Sequence, residues 1–293
     1  MKILVLGVSG MLGSMAFRLL GEREDLRVVG TARSASVRGR FPPESDIRTG
    51  LAAEDLSGVA ALLNDVRPAA VINCIGVVKQ AAASHDPLQA LPVNTLFPHQ
   101  LARLCALGGI RLVHISTDCV FSGRRGGYVE SDEADATDLY GRSKLLGEVE
   151  GPGAVTLRTS IVGPELNGAN GFGLLEWFLA QEGPVRGFTR AVFSGLTTPE
   201  LTRVIADHVL ARPQLEGVYH VSAAPISKYD LLELFAAAYG RASIAIARDD
   251  SVVIDRSLDS TRFRQATGYA PPDWRDMIEA MSRLDPRGKE GMA

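Results

Sequence analysis

Residues 2–13, KILVLGVSGMLG, decide the fold that the sequence predicts. The apolar run of residues 3–6 predicts a buried strand, and apolar residues at helical spacing over residues 11–20 predict a helix soon after it. Three glycines at GxxGxxG spacing permit a tight turn whose backbone N–H groups and helix N-terminus can approach a pyrophosphate. We therefore expect a dinucleotide to bind at this turn. The residues expected to contact it are Gly7, Ser9, Gly10, Met11, Leu12 and Gly13.

Short apolar runs and helical patterns continue to alternate after this turn. Further runs typical of strands cover residues 27–30, 70–74, 112–116 and 155–158, and further helical patterns cover residues 56–65 and 98–107. Because this alternation is typical of a parallel sheet with helices on both faces, we predict a doubly wound α/β fold of the Rossmann type. Three glycines at this spacing also occur in ordinary turns. The βαβ-sized interval to the next strand is what favours dinucleotide binding.

The pattern loosens beyond residue 163. A glycine-rich stretch, residues 163–173, is followed by helical patterns over residues 174–181, 199–211 and 228–239. We therefore predict a dinucleotide-binding domain over residues 1–162 and a smaller mixed C-terminal lobe over residues 163–293. This lobe is expected to bind the substrate and to be interleaved with the last elements of the sheet. The polar tail after residue 284 is expected to be frayed.

The composition argues against several classes of partner. The 293 residues carry a formal net charge of −3, which gives no broad positive field for nucleic acid or an anionic membrane. No apolar stretch approaches the roughly twenty residues that a membrane-spanning helix needs. Cys74, Cys105 and Cys119 form no CxxC pair, so neither a disulfide framework nor a metal site is expected, and a cytoplasmic location fits. The oligomeric state stays open, with a homodimer among the options.

The second predicted strand, in RVVGTARS at residues 27–34, indicates the cofactor. An acidic residue near the end of this strand usually binds the ribose 2′-hydroxyl of NAD, whereas an arginine can bind the 2′-phosphate of NADP. Arg33 and Ser34 stand at this end, Arg38 is nearby, and no acid is present. We therefore expect NADP(H), with NAD(H) as a second cofactor. The alternative is that Arg33 is simply an exposed surface residue.

Tyr140 and Lys144 are the candidate catalytic pair. They lie four residues apart at the start of a predicted helix, LYGRSKLLGE, and hence on one face. Tyrosine keeps its proton until about pH 10, but a nearby ammonium stabilises the phenolate and lowers its pKa. Such a pair is common on exposed helices, so its significance comes from Ser116, Thr117 and Asp118 at the end of the fourth candidate strand. We expect the two hydroxyls to bind a substrate oxygen beside Tyr140.

Four motifs, in this order, resemble those of the extended short-chain dehydrogenases. They are GVSGMLG at residues 7–13, VINCIG at 71–76, HISTDCVFSG at 114–123 and YGRSK at 140–144. Within these enzymes the chain most resembles the dTDP-4-dehydrorhamnose reductase family, and the resemblance covers nearly the whole chain. The motifs that carry this closer resemblance are STDCVFSG at 116–123, LRTSIVG at 157–163, GVYHVSA at 217–223 and RSLDSTRF at 256–263.

The resemblance implies hydride transfer from NADPH to the C4 ketone of a nucleotide-linked 4-keto-6-deoxy sugar, in deoxysugar or cell-surface polysaccharide biosynthesis. Tyr140 would donate the proton, Lys144 would lower the pKa of Tyr140 and bind the nicotinamide ribose, and Thr117 would orient the keto oxygen. The other cofactor contacts implied by matching motifs are Asp46 and Ile47, in a turn at the adenine, Asn73, Cys74, Ile75 and Gly76, beside the nicotinamide ribose, and Ser116.

A sugar nucleotide also needs local cations, because the chain has no overall positive field. The candidates for its diphosphate are Lys79, Arg190 and Arg256, with Asp118 as a further substrate contact. Each of the three cations would equally suit an exposed surface. The segments at residues 75–87 and 188–198 depart from the family pattern, which leaves the identity of the sugar open.

Cys119 helps to separate the related activities. Related 4,6-dehydratases have an Asp and a Glu directly after the Ser/Thr position, whereas here Cys119 follows Asp118, which argues against a dehydratase. GDP-fucose synthases use a Cys in this segment, but directly after the paired hydroxyl residues. We therefore expect Cys119 to be a small buried hydrophobic residue. A nucleotide-sugar 4-epimerase and a non-catalytic NADP-binding regulatory module, like the regulatory subunit of methionine adenosyltransferase, stay open as alternatives.

Overall fold

The computed structural model describes residues 1–166, 168 and 171–290. Its strands are β1 (Lys2–Leu6), β2 (Arg27–Ala32), β3 (Ile47–Thr49), β4 (Ala70–Asn73), β5 (Arg111–Thr117), β6 (Ala154–Thr159), β7 (Ile161–Val162), β8 (Val185–Phe188), β9 (Ala191–Phe193), β10 (Leu196–Thr197), β11 (Gly217–His220), β12 (Ile226–Ser227), β13 (Ile246–Asp249) and β14 (Ile254–Asp255). Its helices are α1 (Met11–Gly21), α2 (Leu56–Val66), α3 (Pro87–Leu91), α4 (Phe97–Leu107), α5 (Leu139–Leu146), α6 (Leu174–Leu179), α7 (Thr198–Val204), α8 (Lys228–Ala238), α9 (Thr261–Thr267), α10 (Trp274–Leu284) and α11 (Pro286–Glu290).

Seven parallel strands form the central sheet, in the order β11, β6, β5, β4, β1, β2, β3. The unbroken apolar run of β1 serves both faces of this sheet: Ile3 and Val5 belong to one hydrophobic core, and Leu4 and Leu6 belong to the other. Because successive side chains of a strand point to opposite faces, a strand covered on both sides must be apolar throughout. The predicted doubly wound α/β fold is confirmed.

The strand order places a crevice beside the glycine turn. Strand β1 pairs with β2 on one side and with β4 on the other, so the direction of chain winding reverses between β1 and β4. In such sheets ligands bind outside the carboxyl ends of the strands at this point. Strand β5 pairs with β4 and ends at Thr117. The turn at Gly7 and the hydroxyl residues therefore lie along the same edge of the sheet.

The second half of the chain contributes to the large sheet and to smaller ones. Strand β11 pairs in parallel with β6 and forms one edge of the central sheet. Strand β9 lies between β12 and β14, while β13 pairs with β8 and β10 pairs with β7. Helix α8 packs against β8 and β13. The position of the domain boundary at residues 162 and 163 stays a prediction.

Two expectations about elements are wrong. Residues 47–49 form β3, which pairs with β2, so the strand that carries Ser116 and Thr117 is the fifth and not the fourth. The tail is not frayed at its start, because helix α11 follows Asp285, which is only 2% exposed. Residues 167, 169 and 170 of the predicted glycine-rich stretch lie outside the described residues. None of the helices in the described part of the chain has the length and apolar character to cross a membrane.

Candidate active site

The glycine turn brings strand β1 and helix α1 into close contact. Gly7 has a φ of +86°, a backbone conformation that glycine adopts without strain, and its carbonyl accepts a 3.0 Å hydrogen bond from the N–H of Gly10. A Cβ on Gly13 would clash with the same carbonyl. Gly10 caps α1 without any side-chain hydrogen bond, and both Ser9 and Gly10 are exposed. The first N–H groups of α1 are therefore open to an anion at the crevice.

Arg33 and Arg38 differ in their availability for a phosphate at the end of β2. Arg33 is exposed, and its guanidinium has no hydrogen bond or ion pair with any residue that the structure describes. Arg38 instead donates a 3.0 Å hydrogen bond to the carbonyl of Ile47. The hydroxyl of Ser34 accepts a 3.2 Å hydrogen bond from the N–H of Ser36, so it stabilises the turn after β2. Arg33 is thus the free cation at this end of the strand.

Asp46 and Ile47 do not form the turn that the resemblance implies. Ile47 begins strand β3 and is only 3% exposed. The carboxylate of Asp46 pairs with Arg48 at 2.8 Å, and its carbonyl accepts the N–H of Gly30. The assignment of Ile47 to a turn is wrong, because its backbone pairs with β2 and its side chain joins the core, while the contact of Asp46 and Ile47 with the adenine stays a prediction.

The segment after β4 is held in place by buried polar side chains. Asn73 accepts a 3.1 Å hydrogen bond from the N–H of Ile75 and contacts His114 through its amide nitrogen at 3.1 Å. A Cβ on Gly76 would lie 3.9 Å from Nζ of Lys144, so this segment faces the catalytic helix. Burial raises the pKa of the Cys74 thiol to about 12, and the thiol is therefore neutral near pH 7.

Lys144 points from helix α5 into the protein. Asp138 caps this helix by accepting a 2.9 Å hydrogen bond from the N–H of Gly141. Nζ of Lys144 donates a 2.8 Å hydrogen bond to the carbonyl of Ile115 in β5. Burial lowers the pKa of Lys144 to about 8, while the carboxylate of Glu148 acts in the opposite direction. The ammonium is thus fixed beside the end of β5.

Tyr140 lies beside Thr117 and Cys119. Burial is the largest influence on its phenol and raises its pKa, and the charge of a Cys119 thiolate would raise it further. The nearby Thr117 hydroxyl acts in the opposite direction and lowers this pKa. Lys144 is not among the groups that act most strongly on this pKa. The expected lowering of the Tyr140 pKa by Lys144 is therefore not observed, because the Lys144 ammonium is hydrogen-bonded to the carbonyl of Ile115.

Ser116 and Thr117 have different surroundings although they are neighbours. The hydroxyl of Thr117 accepts a 3.1 Å hydrogen bond from the N–H of Cys119 and donates one of 3.1 Å to the carboxylate of Asp118. The hydroxyl of Ser116 donates a 2.6 Å hydrogen bond to Glu148 instead. Because adjacent side chains of a strand point to opposite faces, the two cannot serve one substrate oxygen. The expectation that Ser116 binds the substrate with its hydroxyl is wrong.

Behind the catalytic helix lies a buried ion pair that sequence reasoning missed. Glu148 and Arg158 form two hydrogen bonds of 2.8 Å, and their side chains are 6% and 8% exposed. The guanidinium also lies 5.4 Å from the ring centroid of Phe121 and contacts His220 at 3.3 Å. Glu148 follows the end of α5, four residues after Lys144, so an acid at this distance from the lysine is the signal that could have found it.

The residues proposed for the substrate are only partly brought together. Arg256 donates a 2.7 Å hydrogen bond from Nε to the carbonyl of Phe121, and its charge opposes the burial that raises the pKa of Asp118. Lys79 pairs with Asp138 at 3.0 Å and is therefore already neutralised. Arg190 is exposed in the turn between β8 and β9. Arg256 is thus bonded to the turn that starts at Asp118, while Lys79 is not a free cation.

Cys119, Lys228 and Asn94 complete the site in ways that the sequence did not indicate. Cys119 is partly buried, and burial raises the pKa of its thiol to about 12, so the thiol is neutral near pH 7 and its role as a small hydrophobic residue stays a prediction. Burial lowers the pKa of Lys228, at the start of α8, and the charges of Asp118 and Cys119 act in the opposite direction. Asn94 accepts a 2.8 Å hydrogen bond from Val77 and thereby holds the segment after β4. A polar residue within an apolar helical pattern was the available signal for Asn94.

Comparison with known proteins gives consistent matches. The family described as RmlD substrate binding domain matches residues 1–284. A dTDP-4-dehydrorhamnose reductase from Burkholderia thailandensis is 30% identical over 314 residues, covering 94% of this chain and 96% of the relative. A probable low-salt glycan biosynthesis reductase from Haloferax volcanii is 30% identical over 277 residues, covering 91% of this chain and 89% of the relative. The structure of a Bacillus anthracis dTDP-4-dehydrorhamnose reductase in complex with NADP shares the fold, with a TM-score of 0.75 at 21% identity and coverage of 97% of this chain and 99% of that one.

Proposed function

Since the chain belongs to the RmlD substrate-binding domain family, within the NAD(P)-dependent extended short-chain dehydrogenases, we propose that it reduces the C4 ketone of a nucleotide-linked 4-keto-6-deoxy sugar. The observation that carries this proposal is the packing of helix α5, which carries Tyr140 and Lys144, against strand β5, which ends at Thr117 beside the crevice. Two hydroxyls side by side can both bind one carbonyl oxygen. One of them can then give up a proton to it.

The residues around this pair support a division of roles. The nicotinamide, when bound, supplies the hydride. Burial raises the pKa of Tyr140, so the phenol is protonated near pH 7, and a developing alkoxide is a strong enough base to take that proton. Thr117, fixed by the N–H of Cys119, orients the keto oxygen. Lys144, anchored on the carbonyl of Ile115, is placed to bind the nicotinamide ribose.

NADP(H) is the cofactor that we propose, with NAD(H) as a second one. The pyrophosphate would lie against the uncapped start of α1, and the 2′-phosphate would lie against Arg33. Gly76, close to Lys144, leaves room for the nicotinamide ribose. The NADP complex of the Bacillus anthracis relative supports this assignment. The three cysteines are free, which suits the reducing cytoplasm in which we propose that the enzyme works.

The substrate and pathway are proposed from the relatives. One is a dTDP-4-dehydrorhamnose reductase and another is a probable glycan biosynthesis reductase, so a sugar nucleotide used in glycan or deoxysugar synthesis is the expected substrate. The cations Arg256 and Lys228 in the cleft support a ligand that carries negative charge. A homodimer is part of the proposal, and sedimentation of the purified chain tests it.

Oxidation of NADPH in the presence of a panel of 4-keto-6-deoxy sugar nucleotides tests this function. Wild-type protein is expected to turn over at least one of them, and Tyr140→Phe is expected to lower kcat by about 10²- to 10⁴-fold with nearly unchanged cofactor affinity, because only the proton donor is lost. Near-normal turnover by this variant would mean that another group is the acid. Tight NADPH binding without turnover of any sugar would favour a regulatory module, and a cofactor that stays bound through purification would favour an epimerase.

A further inference from the structure

Asp118 differs from the other buried acids of the described residues. Each of the others forms an ion pair of 3.4 Å or shorter with an arginine; they are Glu176, Glu200 and Asp285. Asp118 is 8% exposed, and among the residues that the structure describes no lysine or arginine lies within ion-pair distance of its carboxyl. Removing a carboxylate from water without a counter-ion costs free energy, and such a group tends to take up a proton instead. The surroundings of Asp118 therefore favour a neutral carboxyl.

The hydroxyl of Thr117 links Asp118 to the keto oxygen of a bound substrate. A threonine hydroxyl has one proton to donate and two lone pairs that accept. Oγ1 of Thr117 accepts the N–H of Cys119 at 3.1 Å, and its proton points to Oδ1 of Asp118, 3.1 Å away. A keto oxygen can only accept. While Asp118 is a carboxylate and holds this proton, Thr117 thus has no hydrogen bond to offer to the ketone.

A protonated Asp118 removes this conflict without any movement of the backbone. Its carboxyl O–H can donate to the remaining lone pair of Thr117 across the same 3.1 Å contact, and Thr117 can then turn its own proton toward the keto oxygen. In that arrangement Thr117 donates one hydrogen bond and accepts two, which is its full capacity. The direction of the hydrogen bond between Thr117 and Asp118 therefore depends on the charge of Asp118.

The titratable groups around Asp118 come from several segments of the chain. Burial is the largest influence on Asp118 and raises its pKa, while the charges of Arg256, after β14, and Lys228, at the start of α8, act in the opposite direction. Tyr140 on α5 and the adjacent Cys119 are neutral near pH 7, because burial raises the pKa of both. A sugar nucleotide adds negative charge to the cleft, and negative charge near a carboxyl raises its pKa. Substrate binding should therefore shift Asp118 further toward its neutral form.

We propose that Asp118 is a positioning residue that works in its protonated form: its carboxyl donates a hydrogen bond to Thr117, and Thr117 donates one to the keto oxygen. This inference rests on the proposed function. Asp118 keeps its proton throughout the reaction, and the proton that neutralises the alkoxide still comes from Tyr140. Because the carboxylate form draws the Thr117 proton away, reduction is lost as the pH rises through the pKa of Asp118. Binding of a sugar nucleotide to the carboxylate form takes up one proton from solvent.

The pH profile of kcat/KM in Asp118→Asn tests this role, because the amide can donate to Thr117 but cannot ionise. Wild-type kcat/KM is expected to fall about tenfold per pH unit once Asp118 ionises. Asp118→Asn should lack this fall and keep only the one that follows deprotonation of Lys144 at about pH 8. Glu133→Gln, which removes an exposed negative charge between β5 and α5, is the matched control and should keep the wild-type profile. A wild-type fall in Asp118→Asn would overturn the proposal.

Thr117→Val separates action through Thr117 from a direct contact between Asp118 and the substrate. This variant keeps the shape of the side chain but loses the hydroxyl, so it should already lack the fall that depends on Asp118. Adding Asp118→Asn to Thr117→Val should therefore leave the pH profile as it is, because the two residues act as one unit. An equal change of the profile with and without the Thr117 hydroxyl would mean that Asp118 contacts the substrate itself.

Calorimetry separates this inference from the proposed function. Binding of dTDP-glucose and UDP-glucose, which have no ketone, to the NADP-bound protein is measured in two buffers of different ionisation enthalpy, one pH unit above the midpoint of the wild-type fall. Wild-type protein and Glu133→Gln are expected to take up more than about half a proton, and Asp118→Asn almost none. Binding to wild-type protein without proton uptake would overturn the proposal even if the enzyme is a reductase. Uptake that disappears in Asp118→Asn, without turnover of any ketone, would overturn the proposed function and leave the charge change at Asp118 standing.

Discussion

The charge of Lys144 depends on two influences of opposite sign. Burial lowers its pKa to about 8, close enough to neutral pH for the ammonium to be lost in mildly alkaline solution, and the carboxylate of Glu148 opposes this loss. Glu148 is itself fixed by Arg158 and by the hydroxyl of Ser116. The motif predicted the pair of Tyr140 and Lys144. The motif could not predict the network of Glu148, Arg158 and Ser116, because Arg158 lies in β6, outside the segment that contains the motif.

Glu148→Gln is expected to shift the alkaline limb of the pH profile of kcat/KM to lower pH. Without the negative charge the pKa of Lys144 falls below about 8, and activity is lost as the ammonium deprotonates with rising pH. Initial rates over a pH series measure this shift. Ser116→Ala removes a hydrogen bond to Glu148 but keeps the charge, so its alkaline limb should stay in place. A Glu148→Gln profile that coincides with wild type would rule out this role, provided that a thermal melt shows the variant to be folded.

Arg33→Ala is expected to weaken NADPH about tenfold or more while changing NADH affinity less than about twofold. The reason is that a free guanidinium at the end of β2 contacts only the 2′-phosphate, through charge-assisted hydrogen bonds. Fluorescence titration with both cofactors measures the two affinities. Arg38→Ala is the control, because its bond to the Ile47 carbonyl supports the loop and should affect both cofactors alike. An equal loss for both cofactors in Arg33→Ala would refute the assignment.

At the scale of elements, periodicity predicted most of the central sheet and its helices. The apolar run of β1 and the helical pattern of α1 were sufficient because each pattern continues for several residues. Strand β3 was missed because it has only three residues, IRT, of which one is buried. The close approach of Gly13 to Gly7 follows from three-dimensional packing, although the spacing of the glycines already pointed to it.

Gly13→Ala is expected to lower both cofactor affinity and stability. Its Cβ would clash with the carbonyl of Gly7, so α1 must move away from β1 and the N–H groups that face the pyrophosphate are displaced. The free energy of unfolding should fall by about 1–3 kcal/mol. Urea denaturation and NADPH titration provide the measurements. Gly21→Ala, in the same helix with open space around the new Cβ, should bind NADPH normally and be equally or slightly more stable. Normal binding by Gly13→Ala would show that the close contact is not required.

At the scale of the whole molecule, the C-terminal segment is part of the folded structure. Arg287 forms ion pairs of 2.6 Å with Glu176 and 2.7 Å with Asp285, whose side chains are 1% and 2% exposed. These hydrogen bonds, that with Glu176 first, raise the pKa of Arg287 above its usual value. The polar composition of the tail gave no sign of this, because Glu176, the partner that ties the tail to the rest of the chain, lies 111 residues away in sequence. A partner so distant along the chain leaves no local pattern.

Arg287→Met is expected to lower the free energy of unfolding by about 3–5 kcal/mol, because two buried carboxylates lose their counter-ion. The same substitution should also weaken cofactor binding, through a chain of contacts that leads from Glu176 to the start of α1. Glu176 also accepts a 2.8 Å hydrogen bond from the N–H of Glu165, whose carboxylate accepts the N–H of Gly173 beside Met11. Loosening this chain of contacts should weaken NADPH binding at the start of α1.

Chemical denaturation and NADPH titration measure both effects of Arg287→Met. The control is Arg283→Met, which removes a neighbouring arginine that is 62% exposed and lies 3.9 Å from Glu279. Since exposed pairs contribute about 0–1 kcal/mol, this control should differ little from wild type. Equal stability of the two variants would show that the C-terminal segment does not stabilise the fold. A large loss of stability with unchanged NADPH affinity would instead confine the role of Arg287 to the C-terminal half of the chain.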